Sequence, residues 1–155
     1  MKIETRLFGN IEIDVNKIIS FSDGIIGFED LKQFMIMHDA ESEKSKILWL
    51  QSLDDGNIAL PVIDPLMIKT DYNPVVEDEL FKNIGELVDE EIFVLTTLTV
   101  PADITKITTN LKAPIVINPV TLKGCQIIVD NDDYVVRYPI YDILKSSKVA
   151  DKEGE

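Results

Sequence analysis

One cysteine, one histidine and one tryptophan occur among the 155 residues, and each scarcity closes off a class of chemistry. A lone cysteine excludes an internal disulfide. A lone histidine removes the His/Cys clusters from which transition-metal sites and nucleophile–base pairs are built. Basic residues are short as well: 15 Lys and Arg stand against 28 Asp and Glu, for a net charge of −13. Affinity for a phosphate backbone depends on Lys and Arg neutralising it, so direct nucleic-acid binding is not expected. No apolar run approaches the roughly 20 residues of a membrane-spanning helix, and Met-Lys-Ile-Glu-Thr-Arg lacks the apolar stretch of a signal peptide. The expectation is a cytoplasmic protein that does not enter a membrane.

What is present is strand material. Hydrophobic residues make up 45% of the chain and charged ones 28%, a globular rather than a disordered balance. Ile11-x-Ile13-x-Val15 alternates at the strand period and Lys2 to Arg6 does so weakly. The Gly9-Asn10 pair between them suits φ > 0, which predicts an opening hairpin. Gly24 and Gly27 bracket Ile25-Ile26 in what reads as an ordered loop, and Phe28 to Lys32 is expected to make one helical turn. Gln33–Met37, Ile47–Leu53 and Ile58–Ile63 read as strands, with an exposed polar loop over 38–46. Asp54-Asp55-Gly56-Asn57 turns the last two into a hairpin in which Pro61 takes an edge or bulge position. Glu77 to Ile84 is the best helix candidate, with acids in its first turn and Gly85 beyond its end. Ile92 to Val100 is strand-forming and apolar on both faces at its start.

The remainder is arranged around Thr108 to Val129. Ile115-Val116-Ile117 is a β-branched run fenced by Pro114 and Asn118-Pro119, and Cys125 to Val129 repeats that character after Lys123-Gly124. A buried hairpin is predicted, with Cys125 as a small buried hydrophobe and with Asn110 and Gln126 as amides satisfying turn or ladder groups. A strand over 134–138 and a helical turn over 140–144 follow. About ten short antiparallel strands with one or two short helices make a mainly β domain, an open barrel-like sheet or a sandwich. It is expected to span residues 1–144 and to end in a charged tail over 145–155.

No catalytic constellation emerges. His38 opens a polar loop and reads as a solvated surface residue. Gly24-x-x-Gly27 lacks the strand–helix setting and lysine of a phosphate loop, and Asp64 before Pro65 reads as a turn initiator. No enzyme activity, cofactor or metal is expected.

Taken together, Asn110-Leu111-x-Ala113-Pro114-Ile115-Val116-Ile117-Asn118, Gly124-x-Gln126 and Tyr134-x-x-Arg137 resemble the signature of the FliW family of flagellar assembly factors. Gly24-x-x-Gly27-Phe28-Glu29, Trp49-Leu50-Gln51-Ser52 and Asp64-Pro65 fall upstream in that family's order and spacing, and the resemblance runs from Phe8 to about Tyr138. Cys125 departs from it, standing where other side chains are common. The resemblance implies an open, barrel-like fold and a binding role without catalysis. It also implies two mutually exclusive partners: cytoplasmic flagellin and the RNA-binding translational regulator CsrA. Freed from flagellin, the protein would bind CsrA and relieve repression of flagellin translation. The motif positions Gly24, Gly27, Phe28, Trp49, Gln51, Asn110, Pro114, Asn118, Gly124, Gln126 and Tyr134 are read as structural.

One charged segment stands out. From residue 77 to 91 the acids Glu77, Asp78, Glu79, Glu86, Asp89, Glu90 and Glu91 face only Lys82, a net charge of −6. They form either a solvated face or a docking surface for a basic partner, and the resemblance favours the second. Two other functions stay open: a dedicated flagellin chaperone without CsrA regulation, and a small-ligand-binding β-domain marked by convergent carboxylates in a deep pocket.

Overall fold

The computed structural model describes residues 2–38, 47–74, 92–129 and 133–145. Through them run β1 (Lys2–Thr5), β2 (Gly9–Glu12), β3 (Ile19–Phe21), β4 (Gln33–Met37), β5 (Ile47–Ser52), β6 (Ala59–Ile63), β7 (Phe93–Thr99), β8 (Thr108–Thr109), β9 (Ile115–Asn118), β10 (Lys123–Gln126) and β11 (Tyr138–Pro139). A helical turn covers 141–145. The loop over 39–46, the helix candidate with all seven acids of its segment, and the tail from 146 onward lie outside the described residues.

From β3 to β7 each strand pairs antiparallel with the next. β10 joins the other side of β3 in parallel, β9 pairs with β10, and β9 returns to β7 through Phe93↔Ile117, Val94↔Val116 and Leu95↔Ile115. That last pairing closes a seven-stranded barrel. Closure removes the unpaired edges that an open sheet would present, and it leaves β7 paired on either side, buried at Leu95, Thr96 and Leu98 and exposed at its ends, Phe93 and Thr99. Pro61 sits opposite Trp49, just before β6 begins to pair with β7 at Val62. Its missing N–H therefore breaks no rung to β7.

β8 and β9 run along the same side of β7 with an interruption between them. β7 advances three residues from Leu95 to Leu98, while the opposing chain takes six between Ile115 and Thr109. The surplus is taken up around Asn110, whose Oδ1 accepts the amides of Lys112 (3.0 Å) and Ala113 (3.2 Å).

Alternation along these strands sorts the side chains into two cores. Ile19, Phe21, Phe34, Leu50, Val62, Leu95, Ile115 and Ile117 come from strands all around the ring and fill its interior with Ile25. Ile63, Leu98 and Val116 face outward onto Ile68, Tyr72, Ile107, Leu111, Ile127, Val129, Tyr134 and Ile140, a second core under the connections. In the interior Phe21 and Phe34 meet edge to face, with ring centres 5.5 Å apart and planes at 89°.

Four local expectations are corrected. Phe28 to Lys32 is not helical: Leu31 closes a single turn onto the Phe28 carbonyl at 3.1 Å. The amides of Lys32 and Gln33 donate instead to Asp54 Oδ2 at 2.7 and 3.0 Å. In the opening hairpin only Gly9 has positive φ (66°), while Asn10 pairs with Glu4 in the ladder. The second arm of the central hairpin is assigned as Lys123–Gln126 rather than Cys125–Val129. Ile127 and Val129 still donate to the carbonyls of Pro114 (3.1 Å) and Lys112 (2.9 Å), but Pro114 has no N–H to return and that of Lys112 is held by Asn110. Finally, of the strand read over 134–138 only Tyr138 joins a ladder, together with Pro139, while the Val135 carbonyl accepts the Leu111 amide at 3.0 Å.

Candidate functional site

Several motif residues gather at one end of the barrel around Gln126, while Asn118 lies at the far, turn end of the β9–β10 hairpin. At the Gln126 end, Gly24 (φ 69°) and Gly27 (φ 89°) hold a tight turn in which the Phe28 amide donates to the Ile25 carbonyl at 2.6 Å. Both angles lie where a side chain is strained. A Cβ on Gly24 would also stand 2.5 Å from the Glu29 backbone. The turn sends consecutive isoleucines in opposite directions: Ile25 (2% exposed) plugs the barrel and Ile26 (54%) faces solvent. Gln126 secures it, accepting the Ile26 amide on Oε1 at 2.8 Å and donating from Nε2 to the Ala113 carbonyl at 2.9 Å. Glu29 accepts the Gly27 amide at 3.2 Å. Hydrogen bonds from its own backbone and from Gly27 hold its carboxyl below the usual range.

Gly124 belongs to the same end, where a Cβ would lie 2.5 Å from Cε1 of Phe21. Asn118 caps the turn between β9 and β10, accepting the amides of Val120 (3.0 Å) and Thr121 (3.3 Å). Gln51 is fully buried, and its Nε2 donates into the carbonyls of Ser52, Gly56 and Ile58 at 3.0 to 3.2 Å. Trp49 stacks edge-on against Phe8, with ring centres 6.5 Å apart. Cys125 is half-buried rather than fully buried, and burial, helped by Asp23, pushes its thiol up to about 11. A thiol held protonated is a poor nucleophile.

Outside the barrel a groove of about 480 Å³ is lined by Pro65, Leu66, Tyr72, Asn73, Pro74, Ile92, Val94, Pro114, Val116 and Ile127. Tyr72 forms part of its wall and packs against Tyr134. Tyr72 donates its hydroxyl to the Leu111 carbonyl at 2.7 Å, Tyr134 accepts the Asn73 amide at 2.7 Å, and their rings lie 4.6 Å apart. Burial pushes the Tyr72 phenol well above its ordinary range, so it stays a donor. Asp64 caps the short turn Pro65–Met67 by accepting the Leu66 amide at 2.9 Å. Of the groove residues, Pro65, Pro114 and Val116 belong to the motifs read from sequence, and the others were not singled out. Leu66, Ile92, Val94 and Ile127 read as ordinary core or strand positions, and only the pairing of β7 with β9 brings them to one wall.

Among the described residues no carboxylate lines the groove, and no group of three or more His, Cys, Asp or Glu is placed to hold a metal. Pro74 and Ile92 both line the groove. The seven acids from Glu77 to Glu91 fall between these points in sequence, outside the described residues.

The FliW protein family profile matches residues 2–140. This chain belongs to the FliW family. Among curated FliW relatives, the flagellar assembly factor of Lachnospira eligens is 53% identical over 150 residues, covering 96% of this chain and 99% of the relative. That of Lachnoclostridium phytofermentans is 47% identical over 156 residues, covering 100% and 99%. A crystal structure of the flagellar assembly factor FliW superimposes with a TM-score of 0.82 at 28% identity, over 91% of this chain and 97% of that one. The FliW fold is thus the barrel described above, and among the described residues no helix is long and apolar enough to cross a membrane.

The amide geometry makes one expectation testable. Replacing Asn110 or Gln126 by alanine strands two backbone groups in each case, and a buried polar group left unpaired costs about 1–3 kcal/mol. Thermal melting of either variant should fall before partner affinity does. Weakened binding at an unchanged melting temperature would instead make the residue a contact.

Proposed function

We propose that this protein is a flagellar assembly factor that acts by binding rather than catalysis. It holds flagellin in the cytoplasm and, when free, binds and antagonises the translational regulator CsrA, relieving repression of flagellin translation. The observation that carries this reading is an apolar groove on a chain of net charge −13. The groove offers the surface an apolar helical segment of a secreted subunit needs. The acidic balance favours a basic partner and repels RNA from its side. The relatives, flagellar assembly factors, support the same setting. A groove volume of about 480 Å³ also suits a small ligand, but a hydrolytic pocket needs convergent carboxylates with raised pKa. Among the described residues the carboxylates held away from their ordinary range, Glu29 and Asp71, are both shifted downward and lie at exposed positions.

Titrating purified protein with purified flagellin and with purified CsrA, singly and in competition, tests this. Binding of both, each displacing the other, is the expected result. Flagellin binding alone would reduce the protein to a dedicated chaperone, and binding of neither would overturn the assignment. Association with CsrA should also be salt-sensitive, because complementary charge acts chiefly on the on-rate and is screened over about 10 Å at 0.1 M salt. Stopped-flow association rates that do not change between low and high salt would exclude steering.

A further inference from the structure

A cleft on the outer face of the barrel is lined by side chains able to donate hydrogen bonds. Ser20 is in register with Lys123 of β10 on one side and with Gln33 of β4 on the other. Ile19 and Phe21 fill the barrel interior, so alternation turns Ser20 outward, and Lys123 and Gln33 are exposed beside it. With Ser22 and Lys32 they enclose about 210 Å³, several times the roughly 30 Å³ that one water occupies in the liquid. Among the described residues no carboxylate lines this cleft.

Both bases are held by fixed main chain. The Lys32 ammonium donates to the Ser22 carbonyl at 3.2 Å. Lys123 follows Leu122, which stands at φ 56° with its amide on the Asn118 carbonyl and its carbonyl on the Ser20 amide, each at 2.9 Å. A left-handed residue other than glycine persists where its surroundings fix it, and here it delivers Lys123 to the edge of the cleft. Three carboxylates stand around the cleft without lining it. Asp54 accepts the amides of Lys32 and Gln33. Glu29 accepts the Gly27 amide and feels Lys32 through space, and Asp23, next to Ser22, acts on the Cys125 thiol. With the net charge of −13, these carboxylates select by size. A nucleic acid or an acidic protein surface would be repelled by them, whereas a single small oxyanion fits between the two ammoniums.

We propose that this cleft binds a phosphate group, as inorganic phosphate or as the end of a small phosphomonoester. Lys32 and Lys123 supply the charge, since lysine binds phosphate as a point charge. The hydroxyls of Ser20 and Ser22 and the amide of Gln33 supply donors to the remaining oxygens. The site is independent of the functional reading above and needs neither of its partners.

The test titrates isotope-labelled protein with inorganic phosphate and with glycerol phosphate, with chloride as the control anion at matched ionic strength, and follows the amide resonances of Ser20, Ser22, Lys32, Gln33 and Lys123. Saturable shifts centred on this cleft are expected with both phosphates and not with chloride. Lys32→Met and Lys123→Met should each weaken binding about ten-fold, the scale of one hydrogen bond to a charged group, and the double variant should abolish saturation. Lys106→Met, an equal loss of charge on another exposed turn, should bind as the parent does. Melting temperatures should not move; if Lys32→Met lowers the melting temperature through its bond to Ser22, Lys123→Met carries the comparison. Tighter binding of glycerol phosphate would support the inference and place the source in a phosphorylated small molecule, and equal binding would support it with the phosphate group alone as the ligand. Absence of saturable shifts, shifts that chloride reproduces, or parent-like phosphate binding by the double variant would each overturn it.

Discussion

Replacing Phe21 by alanine is expected to destabilise the protein by about 3–5 kcal/mol, the range for removing a large aromatic from a core that cannot collapse around the void. The ring is fully buried, edge to face with Phe34, and rests on the bare Cα of Gly124. The matching change, Gly124→Ala, drives a methyl to within 2.5 Å of that ring. It should cost about 1–3 kcal/mol by overpacking, since a packed aromatic cannot yield as the end of a flexible chain would. The two are coupled: with Phe21 already removed, the added methyl meets open space. Denaturant unfolding of the single and double variants should therefore give a double variant less destabilised than the sum of the two. Strict additivity would mean the contact does not set the role of Gly124.

The second large effect concerns affinity. Changing Glu86, Asp89, Glu90 and Glu91 to Gln or Asn leaves −9 of the net charge of −13. If these acids pair directly with lysine or arginine of CsrA in a buried contact, calorimetry should show a loss of about 2–5 kcal/mol. If they only solubilise, the remaining charge still steers and affinity moves little. Flagellin binding is the internal control, because it is expected to rest on the apolar groove and should be nearly unchanged. Equal loss for both partners would point to one shared acidic site, and no loss for either would place the docking surface elsewhere on the barrel.

The local chemistry of this chain was legible, and its long-range pairing was not. Alternation and turn residues located the strands from Gln33 to Ile63, the cap at Asp64-Pro65 and the β9–β10 hairpin, because those signals act over a few residues. Asn110 and Gln126 were recognised as amides that satisfy backbone groups, but the partner of Gln126 beyond the neighbouring strand, Ile26, lies 100 residues away and leaves no local trace. The same holds for the pairing of β7 with β9, which decides between an open sheet and a closed ring. Sequence reading of Phe28 to Lys32 failed for a related reason. Phe28 and Leu31 have helical spacing, but Asp54 from the next hairpin takes the amides a helix would use. The groove stayed hidden because it is made by register, and its lining is ordinary apolar sequence.

The parallel pairing of Ser20 with Lys123 and of Phe21 with Gly124 has a consequence for biosynthesis. On the ribosome β3 emerges early with β4 on one side, and its other edge has no partner until residue 124 has left the exit tunnel. The ring is therefore sealed near the end of translation by a contact of high sequence separation, the kind that slows folding. Chains that stop short of β10 retain the Phe21 strand as an unpaired edge, a template for association with other nascent chains. Complete synthesis, rather than any single stabilising contact, is what separates the closed barrel from a fragment with an open edge.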